Sequence, residues 1–415
     1  EAGRRSLEPQ DPELGPGVDV VIAGLGLKIL SPLGVGSYGM VWRAVGDDGT
    51  DVAMKEILCH SAPELDNAHF EGDLLLRLGS LAAAAAGAGA TAAEDPRIPA
   101  LVVQETEQRS EREWRVRLAM ARIPGVPLML LLEQYRLRRA SAAEGAETPA
   151  PAWAQQPPPE ALLEMLQEAC RFACELVAQL APTLKTVSQL AYHRDVNPRN
   201  ILIDTCDGPT PKYGLVDFGM AVDALHWRGG PQGAGADGAW THLEVGGDCR
   251  YWPASAWAMF LRGPQDLPPG SAARVEYQER LDLHALGITA LQVLVEAAPA
   301  LPAPSPASGV GEAGSAALLA SFQALRCAWE LYWQDASEFW RSLIDCFTNN
   351  GDWNALKAAC LQRGVQEAVS RDLEELRAAL GGLAAACAGL PKGCGKEGLE
   401  ALVVALRALL ALGGF

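Results

Sequence analysis

A glycine loop set between two strands is the feature that most restricts this chain. Leu33-Gly34-Val35-Gly36-Ser37-Tyr38-Gly39-Met40-Val41 reads G-x-G-x-x-G and closes on valine. Glycines let a backbone cover a polyphosphate at close range, with its N–H groups turned toward the oxygens. A dinucleotide-binding fold needs such glycines to open a helix. Here the β-rich run VDVVIAGLGLKILSPLG leads into the loop and YGMVWRAV leaves it, so the dinucleotide reading is disfavoured. The turn Gly46-Asp47-Asp48-Gly49 then feeds DVAMKEI, which extends an antiparallel meander from Val18 to Ile57.

A helix is expected next, over PELDNAHFEGDLLLRL, where Phe70, Leu74, Leu75 and Leu78 recur at helical spacing. Two further strands follow, PALVVQET and EWRVRLAMARI, and from Glu160 the chain reads as mostly helical with one interruption over 190–255. Ala285–Val295 and Leu399–Leu412 are apolar but shorter than the about 18 residues a membrane span needs, so they read as core helices. Three segments look inserted: the Ala/Gly run from Leu81, the proline-rich stretch after Ala140, and PAPSPASGVGEAGS after Leu301. Doubling a loop costs only about 0.6 kcal/mol of closure entropy, so insertions need no function to explain them. Arg138-Arg139-Ala140-Ser141 fits either a basophilic phosphorylation site or a solvated linker.

Composition excludes several classes. With 415 residues and 49% hydrophobic content the chain can bury a large core. Its net charge of −17 has the wrong sign for coating nucleic acid or anionic lipid, so phosphate chemistry would need a local arrangement. The ten cysteines stand singly, with no zinc-type grouping, and read as buried reduced thiols of an intracellular, cytoplasmic protein. Cys170 and Cys174 share a helix face, which is more often packing than chemistry. The sequence begins at Glu1 rather than Met, so N-terminal residues and any targeting signal are expected to be missing.

Four more motifs follow in order. Val52-Ala53-Met54-Lys55 puts a lysine on the strand after the loop. Tyr192-His193-Arg194-Asp195-Val196-Asn197-Pro198-Arg199-Asn200 reads H-R-D-x-x-x-x-N, and Val216-Asp217-Phe218-Gly219 lies 22 residues beyond Asp195. Arg280-Leu281-Asp282-Leu283-His284-Ala285-Leu286-Gly287 opens an apolar helix. In this order and at these intervals the set resembles a divergent, Ser/Thr-like member of the eukaryotic-type protein kinase family.

The resemblance implies an α+β, bilobal fold: a small antiparallel β-sheet N-lobe with one main helix, and a larger, mainly helical C-lobe. The expected divisions are a flexible lead-in (1–17), the N-lobe (18–123, insert about 81–95), the C-lobe (124–380, insert about 140–159) and a helical tail (381–415). It implies ATP and Mg²⁺, with Mn²⁺ as a substitute. Lys55 would pair with the α/β-phosphates and be held by Glu71, sixteen residues on, or by Glu64. Asp195 would accept the acceptor's proton, while Asn200 and Asp217 would hold the metal. Leu33, Gly34, Gly36, Ser37, Gly39, Val41, Ala53, Met120 as gatekeeper, Ala121 and Ile123 in the hinge, and Leu202 would surround the nucleotide. Asp282 would brace the catalytic loop from beneath, and His284 would be a hydrogen-bonded structural histidine.

The departures are specific. Asn197 replaces the usual lysine, and Arg199 is placed to restore its charge, although a guanidinium presents a different geometry. Asp248 replaces a threonine, and Ser255 replaces a glutamate that normally forms a salt bridge, leaving packing of Trp252 and Trp257 as the substitute. Arg194 calls for a countercharge, which Glu244 would supply in place of a phosphate; Thr241 is the only hydroxyl between Gly219 and Asp248. The expected activity is transfer of the ATP γ-phosphoryl group to a protein hydroxyl, Ser/Thr before Tyr. The rivals are a pseudokinase scaffold that binds ATP and a small-molecule kinase of the aminoglycoside or choline type. The protein substrate and the oligomeric state are not legible; no nucleic-acid partner and no membrane span are expected.

Overall fold

A computed structural model describes residues 14–36, 39–87, 97–144, 159–206, 208, 210–229, 238–299, 313–349, 351–389 and 397–411. Two compact units are present: Glu1–Pro124 with Val216–Gly219, and Gly125–Leu215 with Met220–Phe415.

The first unit is built on strands β1 (Asp19–Ile22), β2 (Leu25–Gly36), β3 (Gly39–Gly46) and β4 (Asp51–Cys59), helix α1 (Ala62–Gly87), and strands β5 (Leu101–Ser110) and β6 (Glu113–Ala121). They form one antiparallel sheet in the order β1-β2-β3-β4-β6-β5. Side chains alternate across a strand, so β4 sends Val52 and Met54 into a cluster with Ile22, Leu27, Ile29, Ala44 and Ala119. Ile57 and Cys59 instead join Ala68 of α1 and Val116 and Leu118 of β6. Lys55 has the parity of this second set, which turns it toward α1. Glu64 closes the start of α1: its carboxylate accepts the His60 amide at 2.7 Å, and its own amide donates to Ser61 Oγ at 3.4 Å. Helix α1 runs on through Leu81–Gly87, so the front of the Ala/Gly run is helix and not an inserted loop; alanine has the highest intrinsic helix propensity. The rest of that run lies outside the described residues.

The second unit begins with β7 (Val126–Pro127), α2 (Leu128–Glu144) and α3 (Pro159–Val187). Short strands β8 (Ala191–Tyr192), β9 (Ile201–Asp204), β10 (Lys212–Leu215) and β11 (Val222–Asp223) follow, paired antiparallel as β10-β9-β7 and β11-β8. Helices complete the unit: α4 (Ala224–Arg228), α5 (Ala254–Arg262), α6 (Ala272–Glu279), α7 (Leu281–Ala297), α8 (Ala313–Thr348), α9 (Trp353–Gln362), α10 (Val365–Ala388) and α11 (Glu397–Leu409). Almost all of α7 is buried, as expected of a helix apolar on every face. Arg138 and Arg139 lie within α2, and Arg139 donates to the Val295 carbonyl at 3.2 Å, so this segment is helix and not a linker. Residue 380 falls inside α10, and α11 packs on α3, α7 and α10. The C-terminal helices therefore belong to the packing of this unit and form no separate tail.

The fold is mixed α+β, with an antiparallel sheet in one unit and mostly helices in the other. Among the described residues no helix is long and apolar enough to cross a membrane. Of the described cysteines, Cys59, Cys170, Cys249, Cys360 and Cys387 are buried as expected, whereas Cys206 and Cys327 are exposed.

Candidate functional site

Two groups of side chains hold the motif residues, one in each unit. In the first, Lys55 Nζ donates to Glu71 Oε1 at 2.8 Å, to Glu71 Oε2 at 2.9 Å and to Asp217 Oδ1 at 2.7 Å. Helix α1 supplies Glu71 from the same face as Ala68, Leu75 and Leu78, all buried. Glu64 is spent on the helix cap, which leaves Glu71 as the partner. Lys55 and Glu71 are each only 2% exposed. Burial works against charge on Lys55, yet the carboxylates of Glu71 and Asp217 outweigh it and hold the ammonium above its ordinary pKa. Asp217 sits in the left-handed region at φ 62°, a conformation rare outside glycine, and Oδ1 also accepts the Gly219 amide at 3.4 Å. The adjoining Phe218 is buried and its amide donates to Glu71.

The glycine loop lies in the same unit. Gly36 pairs with Gly39 and Gly34 with Val41, while Leu33 falls at a register irregularity between Pro32 and Gly34. A methyl group on Gly39 would collide with the Glu56 carbonyl of β4, so this glycine is imposed by strand packing. A methyl group on Gly34 would meet nothing within 4 Å, which leaves the room a close-lying ligand would need. Ser37 lies outside the described residues. Val41 is opposite Lys55, and Ala53 is opposite the buried Met120. After Met120 the Ala121 amide donates to Ala100 at 2.9 Å and the Arg122 amide to Asp51 at 3.3 Å, so both are engaged just before Ile123. Leu202 belongs to the second unit, on β9 opposite Gly214 and Pro127.

The second group centres on Asp195. Its Oδ1 accepts Asn197 Nδ2 at 2.9 Å and the Asp248 amide at 3.1 Å; its Oδ2 accepts Asn200 Nδ2 at 2.8 Å. These donors fix the plane of the carboxylate. Asn197, read from the sequence only as a lost lysine, is buried, and its Oδ1 also accepts the Arg199 amide at 2.9 Å. The Arg199 side chain is exposed. Asp282 on α7 accepts the amides of His193 and Arg194, both at 2.7 Å. This secures a loop in which Arg194 takes φ 68°.

Four positions singled out in the sequence take their structural form here, and the expectations for Glu244 and His284 change. Arg194 donates to the main-chain carbonyl of Glu244 and lies over Trp227 at 5.1 Å. Any residue offers that carbonyl, so this bond does not depend on the Glu244 carboxylate. At position 248 it is the main-chain amide that contacts Asp195, while the Asp248 carboxylate accepts from Arg250 Nε at 2.9 Å. The Ser255 amide donates to Glu276 at 3.2 Å, and the Trp252 and Trp257 rings pack with centroids 5.2 Å apart. Nothing in the sequence marked Glu276, because α6 brings it back from 21 residues away. His284 is not a hydrogen-bonded structural histidine: it is buried, and neither ring nitrogen has a partner. Burial, with Arg377 and Arg280 nearby, pushes its pKa down to about 3.

Among the described residues no three His, Cys, Asp or Glu side chains form a metal-binding group. In the first unit Asp217 offers a carboxylate oxygen; in the second Asn200 offers its carboxamide oxygen, since its amide nitrogen serves Asp195. Oxygen donors of this kind suit a hard cation.

No family model matches the chain, and no curated protein matches it. Among solved structures it is similar to one described as vaccinia related kinase 3, at 17% identity over 69% of this chain and 69% of that chain, with a TM-score of 0.40. Similarity at that level assigns neither fold nor activity.

Proposed function

We propose that this chain is an ATP-dependent phosphotransferase of the protein-kinase type, acting on a protein hydroxyl, Ser/Thr before Tyr. One observation carries the reading: Lys55, 2% exposed, is bonded at once to Glu71 and Asp217. Burying a lysine and the Glu71 carboxylate, with Asp217 partly buried beside them, is costly, and a hydrophobic replacement would pack as well. The arrangement has a use where a polyphosphate and a cation bring further charge. Lys55, held by Glu71, orients the α- and β-phosphates. Asp217 and Asn200 would hold Mg²⁺ or Mn²⁺, which would supply neutralisation of charge on the phosphates. Asp195, its plane set by Asn197, Asn200 and the Asp248 amide, accepts the proton of the attacking hydroxyl. The glycine loop covers the phosphates through Gly34 and Gly36. Leu33, Val41, Ala53, Met120 and Leu202 contribute apolar contacts to the base, with main-chain groups of Ala121 and Ile123 recognising its edge. Arg199, exposed beside Asp195, contributes positive charge toward the incoming acceptor.

The test is ATP consumption by wild type and Asp217→Asn with Mg²⁺ or Mn²⁺ and a mixed protein substrate, followed by mass spectrometry of the phosphosites. Expected is turnover in wild type that falls about a hundredfold or more in the variant, with phosphate on serine or threonine. ATP binding without turnover in wild type would replace the reading with a pseudokinase. Turnover only with an added aminoglycoside or amino alcohol would replace it with a small-molecule kinase.

A further inference from the structure

Asp248 is buried, and its own amide is bonded to the Asp195 carboxylate at 3.1 Å. A buried carboxylate thus belongs to the residue whose amide holds Asp195, and burying it needs a compensating cation. Arg250 is that cation. Its Nε lies 2.9 Å from Asp248 Oδ1 and 3.1 Å from Oδ2, and its amide donates to Oδ1 at 3.1 Å. The guanidinium is held in turn by α8, lying over the Trp333 ring at 5.0 Å and the Trp340 ring at 5.5 Å. Tyr332 of the same helix donates its hydroxyl to the Arg250 carbonyl at 2.6 Å, and Tyr251 donates to Gln292 of α7 at 2.8 Å. Just before Asp248, Gly247 has φ 83°, and a methyl group there would collide with the Arg194 carbonyl and come within 3.0 Å of Asp195 Oδ1. The segment therefore lies directly against the Asp195 loop, and its position is set from α8.

We infer that Arg250, clamped between Asp248 and the Trp333 and Trp340 rings, is a positioning residue for Asp195. It draws the Asp248 carboxylate aside and leaves the Asp248 amide aimed at Asp195. Helix α8 thereby helps set the geometry of the general base without touching the reacting atoms. A planar guanidinium is needed because it satisfies both carboxylate oxygens edge-on while stacking on the rings; an ammonium is a compact point charge that offers no such fork and no flat face to stack. The inference rests on the phosphotransfer reading above.

The experiment uses the full chain and compares wild type with Arg250→Met/Asp248→Ala, Arg250→Lys and Trp333→Leu. The double variant removes both charges together and so leaves no unpaired buried ion to unfold the protein. Its kcat is expected to fall about tenfold, with KM for ATP within about twofold, because an amide bond to a carboxylate has been weakened and the nucleotide contacts have not. Arg250→Lys and Trp333→Leu are expected to fall between wild type and the double variant in kcat, with KM for ATP likewise within about twofold. If the double variant does not fold, Arg250→Lys carries the test, with a smaller fall in kcat at unchanged KM for ATP. Turnover with unchanged kcat in these variants, or a rise in KM for ATP that matches the loss, overturns this inference alone. Absence of turnover in wild type overturns the phosphotransfer reading and this inference with it.

Discussion

Lys55 and Asp195 are fixed in opposite ways. Around Lys55 the binding is ionic and made by side chains: one buried ammonium, the buried Glu71 carboxylate and the partly exposed Asp217 carboxylate. Around Asp195 it is made by neutral amides, two from carboxamide side chains and one from the main chain, while Asp282 secures the loop from below. A charge cluster of the first kind accepts almost no change of residue, because each member balances another. An amide cradle of the second kind depends on where the backbone runs. At 197 a side-chain carboxamide and at 248 a main-chain amide supply it.

The largest test of that contrast sets Lys55→Met against Asn197→Ala. Removing the lysine leaves Glu71 and Asp217 uncompensated and is expected to cost about 3–5 kcal/mol of stability. Removing one neutral donor from Asp195 is expected to cost about 1 kcal/mol. Urea denaturation of both variants measures the difference, and equal losses would erase the distinction drawn here.

Next in size is an acid sensitivity expected from the second unit. Burial and the charges of Arg377 and Arg280 hold the His284 pKa at about 3 in the fold, against 6.5 in the unfolded chain. Between those values the unfolded chain binds a proton that the folded chain does not. The stability from this group is therefore complete above pH 6.5 and is lost as the pH falls toward 3. The slope is up to about 1.4 kcal/mol per pH unit, or about 2 kcal/mol between pH 6.5 and 5. In His284→Phe this dependence should flatten; parallel pH curves for the two proteins would show that His284 does not contribute.

The smallest expected effect separates two glycines of one loop. Gly39→Ala forces a methyl group onto the Glu56 carbonyl and should cost about 1–3 kcal/mol in thermal or urea unfolding. Gly34→Ala opens onto free space and should change stability by no more than about 0.5 kcal/mol while weakening ATP binding. A large loss of stability at Gly34 would mean that this glycine serves the sheet and not a ligand.

Much of this could be read from residue order alone. The alternation in DVAMKEI places Lys55 on the face opposite Val52 and Met54, and the apolar spacing after Pro63 puts Glu71 on the packing side of its helix. Local periodicity makes strand β4 and helix α1 legible, whereas the Lys55–Glu71 contact is legible only as what the kinase resemblance implies, with Glu64 as the alternative. The proposed ligands at Asn200 and Asp217 were legible only as motif positions. Other features depend on contacts between distant segments. Glu276 reaches Ser255 through the turn into α6, Arg250 is held by α8, and His284 is buried with neither ring nitrogen hydrogen-bonded. Glu244 shows the same limit: its residue type pointed to a countercharge, but Arg194 takes its main-chain carbonyl.

The sequence by itself determined the elements, the faces of strand and helix, and the acidic and basic residue types available to the site, since all of these follow from short-range spacing and chemistry. Tertiary structure alone decided whether a side chain or its backbone makes each contact, and which buried polar groups find a partner. Those outcomes depend on where the chain returns to itself across tens of residues, and short-range spacing does not encode that.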